Sequence, residues 1–199
     1  MDDDDALGVP TEFDEADAER ARELQEFWEA ARIRTGVTRT AVVTGMSAEA
    51  TVPPPAWAFG DNPRLADELL DLVLAGTKTA TATSVAELEL GDEPIPQAGD
   101  LSIILDGSGR PRALIRTTGV EIVPFGQITE AQASLEGEGD GSLASWRREH
   151  EAYFRRVLAE IGTEFSPDLP IAFETFELLY PRPSDRRDFG PKAWDGGLP

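Results

Sequence analysis

The chain has 199 residues, 40% of them hydrophobic, and a formal net charge of −20 at pH 7. That length and apolar content suit one substantial core with short extensions, and the charge disfavours an extended, sequence-blind grip on nucleic acid, whose affinity comes from cations displacing counterions along the phosphates. The lack of cysteine excludes disulfides, thiolate catalysis and cysteine-ligated zinc, and a single histidine, His150, excludes a histidine-rich metal site.

No basic segment followed by an apolar run opens the chain, and no stretch approaches the length of a membrane span. The expectation is a soluble, cytoplasmic protein. Residues 1–13, with the block Asp2-Asp3-Asp4-Asp5, read as a disordered acidic tail. Residues 14–34 place Ala18, Ala21, Leu24, Phe27, Trp28 and Ala31 near helical spacing, with acids first and arginines last as the helix dipole favours. This helix is expected either to pack on the main domain through Phe27 and Trp28 or to form a dimer surface. Residues 35–55, which include Pro53-Pro54-Pro55, read as a linker.

The main domain is expected over residues 56–182. Asp61 or Asn62 caps a helix with Pro63 in its first turn and an apolar stripe of Leu65, Leu69, Leu72 and Val73, stopped by Gly76. Thr79 to Ser84 alternates hydroxyls with alanine and reads as a strand. Leu101–Leu105, the turn Asp106-Gly107-Ser108-Gly109 and Arg112–Val123 read as a hairpin. A short helix from Ile128 to Leu135, a glycine-rich acidic loop from Glu136 to Gly141, a capped amphipathic helix starting at Ser142 and a strand from Ile171 to Tyr180 complete the order. Residues 183–199 read as an irregular tail. Strands mixed with segregated helices define an α+β domain, with a small β-barrel and flanking helices as the expected form.

Three features bear on chemistry. Lys78 is one of two lysines against sixteen arginines. An amine does what guanidinium cannot, because burial lowers its pKa enough for proton exchange. Thr81 lies three residues on, within reach only if the chain bends near Thr79. Given that bend, Thr81 is a candidate nucleophile, with Lys78 either its base or a cation facing an oxyanion. The second feature is the loop carrying Glu136, Glu138 and Asp140, whose acids can orient Lys78 or bind an amine of a substrate. It lacks the twelve-residue calcium pattern, so no metal is expected. The third is His150, on one helical stripe with Trp146 and Phe154. Trp57 and Phe59 are candidates to stack on a base. Neither a phosphate-binding loop nor a dinucleotide glycine fingerprint is present, and no cofactor is expected.

The ordered segments Trp57-Ala58-Phe59-Gly60-Asp61, Gly76-Thr77-Lys78-Thr79-Ala80-Thr81, Pro96-Gln97-Ala98-Gly99-Asp100, Val120-Glu121-Ile122-Val123-Pro124-Phe125 and Glu136-Gly137-Glu138-Gly139-Asp140-Gly141, then Trp146-Arg147 and His150, resemble the ASCH domain family over roughly Trp57 to Tyr180. The resemblance implies a PUA-like barrel with a cleft for RNA or a nucleoside. Small bacterial members hydrolyse N4-acetylcytidine with a lysine, a threonine three residues later and a distant glutamate. By that likeness Lys78, Thr81 and Glu138 are the catalytic candidates, with Glu136 the other choice of acid. Thr79, Thr83, Glu136, Asp140, Trp57, Phe59 and His150 are substrate-binding candidates. Thr83 departs from the pattern, since the small enzymes carry arginine there.

The expected function is amide deacylation of a small modified nucleoside. The alternatives are an RNA-binding or regulatory module that holds a short single strand, or a metal-independent ribonuclease. For RNA binding the candidate cations are Arg110, Arg112 and Arg116 near the hairpin and Arg147, Arg148, Arg155 and Arg156 on the late helix.

Overall fold

The structure, a computed structural model, describes residues 12–37 and 52–182. The expectations for the acidic tail, for residues 38–51 of the linker and for residues 183–199 lie outside the described residues.

Helix α1 (Glu12–Thr35) runs slightly beyond the span read from periodicity. Its Phe27, Trp28 and Ala31 pack on Ile103, Leu114, Leu179 and Tyr180, with the Phe27 and Tyr180 rings edge to face at 5.6 Å. Of the two roles expected for these aromatics, the packing one is observed. A short strand β1 (Ala56–Trp57) follows the prolines, and helix α2 (Pro63–Ala75) begins where Asn62 accepts a hydrogen bond from the Leu65 amide. Gly76 ends α2 in the left-handed region at φ 76°, which a side chain would resist.

Strand β2 (Ala80–Ser84) runs straight into helix α3 (Val85–Leu90), because Ser84 both closes the strand and caps the helix. Sequence reading missed α3, although Ser84 and Glu87 have the spacing of a capping box. The hairpin is β3 (Leu101–Leu105) and β4 (Pro111–Pro124). A 3-10 turn (Phe125–Gln127), helix α4 (Glu130–Glu136), helix α5 (Leu143–Glu160) and strand β5 (Pro170–Tyr180) follow.

The strands form one mixed sheet in the order β1-β3-β4-β5-β2. Among the described residues only β1 and β3 pair in parallel. Among the described residues β1 and β2 are the two edges, so the small β-barrel expected from the sequence takes the form of an open sheet. The α+β class stands.

Apolar residues collect in three places. One cluster joins Phe59, Leu69, Leu70 and Val73 to Ile104, Ile115 and Phe176, under α2. Another joins Phe125, Trp146, Phe154 and Leu158 to Ala80, Ile171 and Phe173, under α5. The third lies under α1. Along β5, Phe173 and Phe176 therefore belong to different clusters, as alternation across a strand requires. No helix among the described residues is long and apolar enough to cross a membrane.

Candidate functional site

Lys78 sits outside the strand ladder. After α2 the Thr77 and Lys78 amides both donate to Leu72 O, and the Thr79 amide and hydroxyl both donate to Leu135 O. These bonds hold Lys78 between the end of α2 and the start of β2, against Leu135. The Lys78 side chain is 1% exposed and its ammonium lies 5.1 Å from the centre of the Phe59 ring.

Two carboxylates meet that ammonium. Nζ donates to Glu138 Oε1 at 2.5 Å and to Glu136 Oε2 at 3.1 Å. Glu136 is 1% exposed, and its other oxygen accepts from the Trp146 indole N–H at 2.6 Å. Glu138 is 25% exposed and is the member of the cluster that reaches solvent. The His150 ring stacks on Trp146 at 4.2 Å, its Nδ1 lies 3.0 Å from Trp146 O, and its Nε2 lies 3.5 Å from Glu136 Oε2. Helical spacing of four residues produces that stack.

Glycines bring the acids close. Gly137 has φ 65°, and a Cβ there would come within 2.6 Å of Thr77 O. Only glycine lets the loop press against the residue before Lys78.

These contacts set the charges. Burial favours a neutral Lys78, but Glu136 and Glu138 outweigh it and hold the pKa above its ordinary value. Burial likewise pushes Glu136 up, and the Lys78 charge, His150 and Trp146 overcome that and bring its pKa down to about 2. His150 is also disfavoured as a cation by burial, yet Glu136 keeps its pKa above 6.5. Of the two roles left open for Lys78, these electrostatics favour the fixed cation.

Thr81 lies on β2 opposite Glu174, and its hydroxyl has no hydrogen bond among the described residues. Ala80 packs into the α5 cluster, so Thr81 and Thr83 face away from it. Thr79 is tied to Leu135, and Asp140 accepts from the amide of Ser142, the residue that caps α5, at 2.9 Å. Trp57 meets Phe59 edge to face at 4.7 Å, and Phe59 is a core residue beneath Lys78. Two neighbours of the candidate residues were not read from the sequence: Trp146, which donates to Glu136, and Glu174, which stands opposite Thr81. The signal for Glu174 was an acid in the apolar run Ile171–Tyr180. One oxygen from each of Glu136, Glu138 and His150's nitrogen lie within 4.8 Å of one another, spacing a cation would need, but Lys78 already supplies the positive charge there.

The open mixed sheet with its flanking helices is an α+β fold of the PUA-like kind, and Lys78, Glu136 and Glu138 converge beside it. The chain belongs to the ASCH domain family, which matches residues 55–180. It is similar to the crystal structure of an ASCH domain from Lactobacillus crispatus JV V101, at 29% identity and TM-score 0.62 over 74% of this chain and 95% of that one. It is also similar to the protein EF3133 from Enterococcus faecalis V583, at 31% identity and TM-score 0.66 over 86% of this chain and 95% of that one. No curated protein matches the chain.

Proposed function

We propose that the site hydrolyses the acyl amide of a small modified nucleoside, of which N4-acetylcytidine is the test case. The observation that carries this reading is the buried Lys78 ammonium, held between Glu136 and Glu138 at the edge of the sheet that bears Thr81. A buried cation fixed in place stabilises an oxyanion more strongly than one in water, because no solvent needs to reorganise.

In the proposed reaction Thr81 Oγ1 forms a bond to the acyl carbon, and its proton passes through the Lys78–Glu138 pair. Lys78 stabilises the tetrahedral oxyanion. The C–N bond then breaks, Glu138 returns the proton to the departing amine, and water hydrolyses the threonine ester to release the acid. Glu136 stays ionised throughout and anchors Lys78 against Trp146.

The charge of the surroundings supports a neutral ligand over a polyanion. Arg112 pairs with Asp106, Arg116 with Glu177, Arg148 with Glu149, Arg155 with Glu151 and Arg156 with Asp61. Arg147 donates to the carbonyls of Gly126 and Ile128. Most of the arginines that a phosphate backbone would need are thus already engaged.

The test is deacetylation of N4-acetylcytidine by purified protein. Turnover is expected, and it is lost in Thr81→Ala and in Lys78→Met. Wild-type protein that shows no more turnover than Thr81→Ala overturns the reading.

A further inference from the structure

Glu174 is a buried acid to which the reaction above gives no task. It stands mid-strand in β5 at 7% exposure. Its Oε1 accepts from the Thr117 hydroxyl at 2.5 Å, while Oε2 has no hydrogen bond among the described residues. Oε2 is not sealed from solvent, so it is the one polar atom of this largely buried carboxyl that a ligand can reach.

Its placement ties it to the site. Thr81 is its cross-strand partner, so the two side chains stand side by side on one face of the sheet. Phe176, two residues on, shares that face. The Phe176 ring lies 6.1 Å from Phe59, the ring over which the Lys78 ammonium sits. The fixed cation is thus joined to the unpaired hydroxyl and the unpaired carboxyl oxygen through two packed rings, Phe59 and Phe176, on that face of the sheet.

We infer that Glu174 is the substrate-binding carboxylate of this site: Oε2 accepts the N–H of the scissile amide and sets the acyl carbon against the Thr81 hydroxyl. The inference rests on the hydrolase reading and adds a substrate feature to it. The site takes secondary amides and discriminates against N-alkylated amides and esters, which have no N–H to offer. A site built to hydrogen-bond a group rejects analogues that lack it, because its own polar atom is covered by the ligand and left unpaired.

The ionisation of Glu174 is linked to this role. Burial raises its pKa, the Thr117 hydrogen bond lowers it, and the charge of Asp100 raises it again, for a net upward shift. The neighbouring strands face it with the neutral hydroxyls of Thr117 and Thr81, and Asp100 precedes β3. The ionised form accepts at Oε2 more strongly, and a proton that settles on Oε2 blocks it, so turnover falls in acid along a limb that lies above the ordinary carboxylate range.

The experiment compares N4-acetylcytidine with its N4-methyl derivative across pH, using wild type, Glu174→Gln and Thr117→Val, with melting curves to confirm folding. Wild type is expected to prefer the secondary amide by about tenfold or more. Glu174→Gln loses most of that preference and the acid limb, and Thr117→Val moves the limb to higher pH. Turnover by wild type with the same preference and pH profile in Glu174→Gln overturns the assignment of Glu174 and leaves the hydrolase reading intact. Should Glu174→Gln not fold, an unmoved limb in Thr117→Val overturns the assignment instead. No turnover by wild type overturns both.

Discussion

Replacing Glu136 by glutamine tests the electrostatic core of the site. Glutamine keeps the shape and can still accept from Trp146, but it removes the charge that faces Lys78. The carboxyl pKa drops from 4.5 to about 2 on folding, so its ionisation favours the folded state by about 3 kcal/mol at neutral pH. Breaking a buried ion pair costs about 3–5 kcal/mol when the partner is stranded. Here Glu138 remains beside the ammonium, which places the expected loss near the lower figure. For a protein of this length that corresponds to a melting temperature lower by about 6–12 °C. The sign in acid is fixed too: a lowered carboxyl pKa gives stability that is present above 4.5 and lost as pH falls towards about 2. Urea unfolding of wild type and Glu136→Gln at neutral pH and at decreasing pH measures both quantities. A loss under about 0.5 kcal/mol at neutral pH, or a gap that does not narrow in acid, refutes the reasoning. Adding Lys78→Met to Glu136→Gln should cost less than the sum of the single losses, since the pair is then removed as a unit.

Three further outcomes follow from the same contacts. His150, the single histidine, gives an unambiguous imidazole NMR titration, expected above 6.5 in wild type and lower in Glu136→Gln. The stability it contributes is present below 6.5 and lost as pH rises through its folded value. Gly137→Ala combines left-handed backbone with a Cβ 2.6 Å from Thr77 O, and denaturant unfolding should show a loss of about 2–3 kcal/mol together with reduced turnover. Glu174→Gln should raise the melting temperature at neutral pH while lowering turnover, because a raised carboxyl pKa makes ionisation in the folded state unfavourable; an unchanged or lower melting temperature contradicts the burial argument.

The sheet strands and long helices were legible because their signals are local. Leu65, Leu69, Leu72 and Val73 repeat at helical spacing between Pro63 and Gly76, and α2 spans that interval. The capping box that starts α3 was equally local but lay hidden at the end of a strand, where Ser84 reads as one more alternating hydroxyl. Strand order and closure were not legible, since pairing partners such as β2 and β5 are distant in sequence. At the site, Lys78 was conspicuous by composition and the acidic loop by its glycines. Which acid is sealed in and which reaches solvent depends on Trp146 closing over Glu136, a contact no spacing announces. The charged state of Lys78 is likewise a property of the assembled cluster.

The partners of Lys78 lie 58 and 60 residues further along the chain. An ammonium pressed into apolar packing before they arrive would bear the full loss of hydration, so the α2–β2 corner and the segment joining α4 to α5 have to dock as one event. The Thr79 and Phe176 amides, which donate to Leu135 O and Thr79 O at that junction, should then open together in hydrogen exchange rather than in sequence, marking the corner as a single cooperative unit of the native state.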